Sequence, residues 1–171
     1  MQTKTLLVIL SVVLTGFLSA PVLAGSRPLE EARALFAEQQ YDKTIALVKD
    51  EMIKSGESAD LLVLMADSYL ALGEERTAEK IYRQALDLDS RHVDGNLNLG
   101  MLLVAERERN EAIALIKKVL ADNPDHARAH FCLGIAYNAR ADIDDAFGQY
   151  KILKKLDKDL ASELYNVIFL K

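Results

Sequence analysis

A chain of 171 residues, half of them hydrophobic and with a net charge of −5, is long enough for one domain with a continuous core. Its Lys and Arg residues are interspersed with Asp and Glu, which excludes the concentrated basic surface that nucleic acid or an anionic membrane requires. The single cysteine, Cys132, excludes an internal disulfide, so packing alone must hold the fold.

The chain opens on a leader pattern. Lys4 precedes an uncharged apolar run, Leu6 to Leu18, and small residues follow, ending in Val22-Leu23-Ala24. A cut after Ala20 would place Pro21 just beyond the scissile bond, so the expected signal peptide is residues 1–24 and the mature chain starts at Gly25. No Cys lies near the cut to take lipid, and no later stretch approaches the roughly 20 apolar residues that span a bilayer. The alternative is an uncleaved segment that anchors the protein to the membrane; both place the remainder on the same side. A short one-lysine leader points to bacterial export, to the periplasm, with secretion as the further alternative.

Past the leader, apolar residues fall at three- and four-residue intervals, which predicts nine helices. The expected spans are 28–38, 41–54, 58–72, 75–87, 92–106, 109–121, 126–140, 143–156 and 159–169. Gly73, Asn110 and Asp142 sit in turns within pairs of helices, and Asp89-Ser90 and Asn123-Pro124-Asp125 separate one pair from the next. Turns this short force antiparallel neighbours, so the predicted unit is a helical hairpin. The hairpins repeat: Ala32, Ala66, Gly100 and Gly134 are spaced by 34 positions, as are Leu35, Tyr69, Leu103 and Tyr137, and Thr44, Ala78, Ala112 and Ala146.

These residues resemble the tetratricopeptide repeat (TPR) family over about residues 27–158. The second repeat carries Leu62, Met65, Ala66, Tyr69, Ala78, Tyr82 and Ala85, and the third Asn96, Leu99, Gly100, Leu103, Ala112, Ile116 and Pro124. The fourth carries His130, Leu133, Gly134, Tyr137, Ala146 and Tyr150. The first is weaker, with Pro28, Glu31 and Thr44 at signature positions, as terminal repeats often are. The resemblance implies an all-α, right-handed superhelical stack of about four hairpins, at about 27–58, 59–92, 93–126 and 127–158. A capping helix at 159–170 follows, with Leu160, Leu164 and Ile168 on its apolar stripe. Small residues at Ala66, Gly100 and Gly134, facing Ala78, Ala112 and Ala146, are expected to let the two helices of a hairpin approach closely.

The resemblance also places the first helix of each hairpin on a concave groove. The positions beside the signature there are Val63, Asp67 and Leu70; Leu97, Met101 and Val104; and Phe131, Ile135 and Asn138. Some members of the family grip a peptide carboxylate with Lys, Asn and Arg; here only Asn98 and Arg128 correspond, while Val63, Asp67 and Cys132 occupy the other places. The implied partner is therefore an apolar or amphipathic protein segment, with Asp67, Asn98, Arg128 and Asn138 setting its register. The competing possibility is that this stripe completes contacts between repeats or lies under the closing helix.

Chemistry has few candidates. No phosphate-binding Gly-rich loop, Ser/His/Asp set or paired carboxylates appear on a suitable turn, so no catalytic residue or cofactor is expected. His126 and His130, four apart, could face one metal ion, but His126 repeats the turn position of His92 and His130 fills a signature position. Cys132 lacks a CxxC partner, and Asp142, Asp144 and Asp145 lack the Gly and Glu of a calcium loop. The expected function is a non-catalytic exported scaffold or adaptor for an envelope, secretion or pilus-type assembly. The alternative is a structural subunit whose groove is filled by another protein or a second copy.

Overall fold

The computed structural model describes residues 27–170, all-helical between short turns. The leader read in residues 1–24 lies outside the described residues. In chain order the helices are α1 (Arg27–Ala37), α2 (Tyr41–Ser55), α3 (Ala59–Ala71), α4 (Glu75–Leu88), α5 (Val93–Ala105), α6 (Arg109–Asp122), α7 (Ala127–Arg140), α8 (Ile143–Leu156) and α9 (Lys158–Phe169). Each end falls within one residue of the span read from the sequence.

Local chemistry explains these boundaries. Ser58 caps α3, its Oγ accepting from the Leu61 N–H (3.3 Å), and Asp157 caps α9, Oδ1 accepting from Asp159 and Leu160 N–H groups at 3.0 Å each. The turn histidines, one repeat apart, do the same work: His92 Nδ1 accepts from Gly95 N–H (3.0 Å) and His126 Nδ1 from Ala129 N–H (3.2 Å). Neutral imidazole offers an acceptor nitrogen at the distance a Ser or Asp oxygen would.

The turns inside the hairpins share one backbone form. Gln39, Gly73, Arg107 and Ala141, again 34 apart, all take positive φ (60°, 81°, 70° and 70°). The following N–H groups, of Gln40, Glu74, Glu108 and Asp142, reach back five residues to the carbonyls of Leu35, Tyr69, Leu103 and Tyr137 at 2.8–2.9 Å. That is the Schellman ending, in which a left-handed residue closes the helix and satisfies its last carbonyls. Only one of the four is glycine, so three carry a Cβ in a region that disfavours it. Gln39→Gly, Arg107→Gly and Ala141→Gly are each expected to stabilise the protein by roughly 0.5–1 kcal/mol. The combined variant should unfold at higher temperature by circular dichroism.

Tertiary contacts set the shape. Each helix packs on the next, and the first helices also meet directly, α1 on α3, α3 on α5, α5 on α7 and α7 on α9. Among the described residues, the second helices α2, α4, α6 and α8 make no such approach to one another. Elements that crowd on one side and splay on the other curve the stack, with the first helices on its concave wall.

The core runs through the hairpins. Tyr82, Leu103, Ile116, Leu153 and Leu164 are fully buried, as are Ala66, Ala78, Ala112 and Ala146 at the close approaches. Thr44, the atypical residue of the first repeat, is also fully buried, and its Oγ1 donates to the Gln40 carbonyl (3.1 Å), so the hydroxyl carries no unmet desolvation cost. A Cβ on Gly100 would lie 3.0 Å from Ile116 Cγ1, across its own hairpin as expected. Gly134 differs from the expectation. A Cβ there would collide with Leu164 of α9, overlapping Cδ2 and lying 2.9 Å from Cδ1, so the small residue admits the closing helix.

Candidate partner-binding groove

On the concave wall the helices leave a cleft of about 730 Å³. Its apolar lining comes from Phe36 on α1, Leu70 on α3, Met101 and Leu102 on α5, Phe131 on α7 and Leu160 on α9. These positions shift steadily along their helices. They sit late in α1 and α3, from the middle of α5 towards its end, and early in α7 and α9. The cleft therefore crosses the inner helices on a diagonal, as it must when each hairpin is rotated relative to the one before.

A polar chain runs along this path. Tyr82 Oη and Asn98 Nδ2 (2.7 Å) both donate to Asp67 Oδ1. Arg128 Nη2 donates to Asn98 Oδ1 (2.5 Å), and Arg128 Nη1 to Asp94 Oδ1 (2.6 Å). The chain joins α3, α4, α5 and α7, so it fixes the relative placement of three hairpins. Burial pushes the Asp67 carboxyl above its ordinary range, opposed by the hydrogen bonds from Tyr82 and Asn98. Burial raises the Tyr82 phenol as well, reinforced by the neighbouring Asp67 charge, so the phenol stays a donor. Cys132 lines the cleft with its side chain largely buried, and that burial raises its thiol.

Of the groove positions read from the sequence, Asp67, Leu70, Asn98, Met101, Arg128 and Phe131 come together on the cleft. The others do not. Val63, early in α3 and only 5% exposed, packs between repeats, its Cγ2 3.3 Å from where a Gly95 Cβ would stand. Leu97 is fully buried in the core, and Val104 packs against both halves of that core. Ile135 is half-buried against the core, and Asn138 Nδ2 donates to the Val167 carbonyl of α9 (3.4 Å). These five positions lie outside this cleft; Leu97 is sealed in the core, Val104, Ile135 and Asn138 are half-buried, and Val63 lines a smaller neighbouring cleft with Phe36 and Asp67. Phe36 and Glu75 also line the cleft, as do Tyr82, read from the sequence only as a repeat-packing residue, and Leu160, read only as part of the closing helix's apolar stripe. The closing helix contributes Leu160 to the wall.

The histidine pair is turned to structural work. His130 is buried, with Nε2 against the Pro124 carbonyl (2.7 Å) and Nδ1 against the Gln149 side-chain amide (2.8 Å). Neither of its nitrogens is free for an ion, while His126 is occupied as a helix cap through Nδ1.

Residues 73–130 match the Tetratricopeptide repeat family. No curated protein matches the chain. Among solved structures, the chain is similar to YrrB, a TPR protein with an unusual peptide-binding site, with a TM-score of 0.69 and 18% identity over 84% of this chain and 75% of that one. It is similar to TTC0263, a thermophilic TPR protein of Thermus thermophilus, with a TM-score of 0.72 and 22% identity over 85% and 84% of the two chains. MamA gives a TM-score of 0.68 at 19% identity over 81% of each chain. At these identities the likeness is one of fold.

Proposed function

Starting from a stack of hairpins like those of tetratricopeptide repeats, we propose that this protein is an exported, non-catalytic scaffold that holds an apolar or amphipathic protein segment in its concave cleft. The observation that carries the proposal is the convergence of Phe36, Leu70, Met101, Phe131 and Leu160, from five helices, on one cleft of about 730 Å³. A segment with apolar side chains at regular spacing can bury them against these residues, while the Asp67–Asn98–Arg128 chain fixes its register. The peptide-binding site of the fold neighbour YrrB supports a peptide as the kind of partner, at the level of fold. The leader pattern around Lys4, Leu6–Leu18 and Ala24 supports export, which directs the search to periplasmic envelope, secretion or pilus-type assemblies.

A second function, self-association as a structural subunit, is favoured by a different surface. Phe147, Tyr150, Tyr165 and Phe169 pack in one cluster with centroids 4.8–5.9 Å apart, and Tyr165 and Phe169 remain 41% and 47% exposed. One experiment separates the two. A photoreactive amino acid is placed in intact cells at Met101 in the cleft, at Lys118 on the exposed side of α6, or at Tyr165 in the aromatic cluster. A heterologous adduct from Met101 and none from Lys118 is expected. An adduct between copies, formed from Tyr165 alone, would replace the scaffold with a self-assembling subunit.

A further inference from the structure

Resting on the groove function above, we propose that the captured segment carries a lysine or arginine whose charge pairs with the Asp67 carboxylate. Three acidic or basic side chains reach the cleft: Asp67, Glu75 and Arg128. Arg128 is already matched, with one terminal nitrogen on the Asp94 carboxylate and the other on the Asn98 amide oxygen. Asp67 is not. Both of its donors, the Tyr82 hydroxyl and the Asn98 amide, are neutral and both go to the same oxygen, Oδ1. No described Lys, Arg or His forms an ion pair with it.

An ionised carboxylate accepts about four hydrogen bonds over two oxygens, so Asp67 Oδ2 retains its acceptor sites. A half-buried carboxylate without an ion-pair partner is costly: burial pushes the Asp67 carboxyl up, and the Arg128 charge, which forms no ion pair with it, offsets this only in part. A visiting ammonium or guanidinium relieves it. The apolar walls formed by Phe36, Leu70, Met101 and Phe131 suit the alkyl stem of that side chain, and the exposed Glu75 adds a second negative charge at the rim. An acidic segment, or a peptide's free carboxylate, would meet Asp67 and Glu75 with the single arginine already engaged.

The test is selection of a phage-displayed library of random twelve-residue peptides on the purified full-length protein and on Asp67→Asn. The wild type is expected to enrich peptides with a Lys or Arg flanked by large apolar residues, and Asp67→Asn to enrich apolar peptides without that preference. In a selected peptide, replacing the basic residue by norleucine should weaken binding to the wild type about tenfold or more and leave binding to Asp67→Asn unchanged. In Asp67→Asn the new amide oxygen still accepts from Tyr82 and Asn98, so thermal unfolding of this variant should match or exceed that of the wild type. The norleucine comparison on the wild type decides the matter even if that variant misfolds. Apolar peptides enriched with no basic preference would overturn the charge pairing and leave the groove standing. Enrichment of nothing, or of peptides bound equally well by a Met101→Glu/Phe131→Glu variant, would overturn the groove as well.

Discussion

Gly134→Leu is expected to lower the melting temperature by roughly 10 °C through overpacking against the closing helix. The Cβ alone would overlap Leu164 Cδ2, and Cδ1 and Cγ stand 2.9 and 3.2 Å away, so rotation of one methyl cannot clear the space. Leu164 is fully buried and anchors α9 together with Ala161 and Ile168. A leucine at 134 must therefore lift the closing helix from α7 or force both side chains off their rotamers, at about 3 kcal/mol. For a chain of this length that corresponds to several degrees per kcal/mol at most. Leu164→Ala should cost about 2–5 kcal/mol by itself through the cavity it leaves. In the double variant the new leucine side chain enters that cavity, so the two losses should fall well short of adding. Thermal unfolding of the four proteins by circular dichroism measures the coupling. Additive losses would mean that α9 does not rest on Gly134. Because Leu160 of the same helix lines the cleft, Gly134→Leu should also weaken whatever the cleft holds.

The fold was readable from the sequence because the repeat supplies the same evidence several times. Ala66 and Gly100 at one register, with Ala78 and Ala112 at another, identify a hairpin more securely than any single helix pattern does, and the helix ends follow from the turns between them. The Schellman turns were hidden for a composition reason: of Gln39, Gly73, Arg107 and Ala141, only Gly73 advertises a left-handed residue. The partner of Gly134 was hidden because the repeat pattern describes contacts inside a hairpin, whereas the last hairpin packs against a helix outside the pattern. The groove was half legible for a related reason. Equal positions in successive repeats have equal chemistry only if the groove runs square to the helices. Here it runs diagonally, so Asp67 and Met101 share both register and cleft while Ile135, at the same register, is half-buried against the core and does not line the cleft. Leu160 enters at one end of that diagonal, where no repeat register points to it, whereas Phe36 at the other end stands one 34-residue step before Leu70, in the atypical first repeat.

The diagonal gives the second large effect a sharp form. Met101→Glu combined with Phe131→Glu is expected to reduce binding of the captured segment at least a hundredfold while moving the melting temperature by only a few degrees. Both side chains are half-buried cleft residues, so each carboxylate keeps access to water in the free protein and the fold loses little. Binding would strip that water from two new charges and set them close to Asp67 and Glu75, a cost of about 2–3 kcal/mol or more. Leu97→Glu, on the same helix as Met101, supplies the contrast. Leu97 is fully buried, so a carboxylate there has neither water nor a partner, and this variant should lose stability by about 3 kcal/mol or more instead of losing only its ligand. Peptide binding followed by fluorescence anisotropy, with unfolding measured on the same samples, separates the two outcomes. If Met101→Glu/Phe131→Glu binds as the wild type does, the segment docks elsewhere. If Leu97→Glu stays as stable as the wild type, that residue faces the groove and the path across α5 is not the one described.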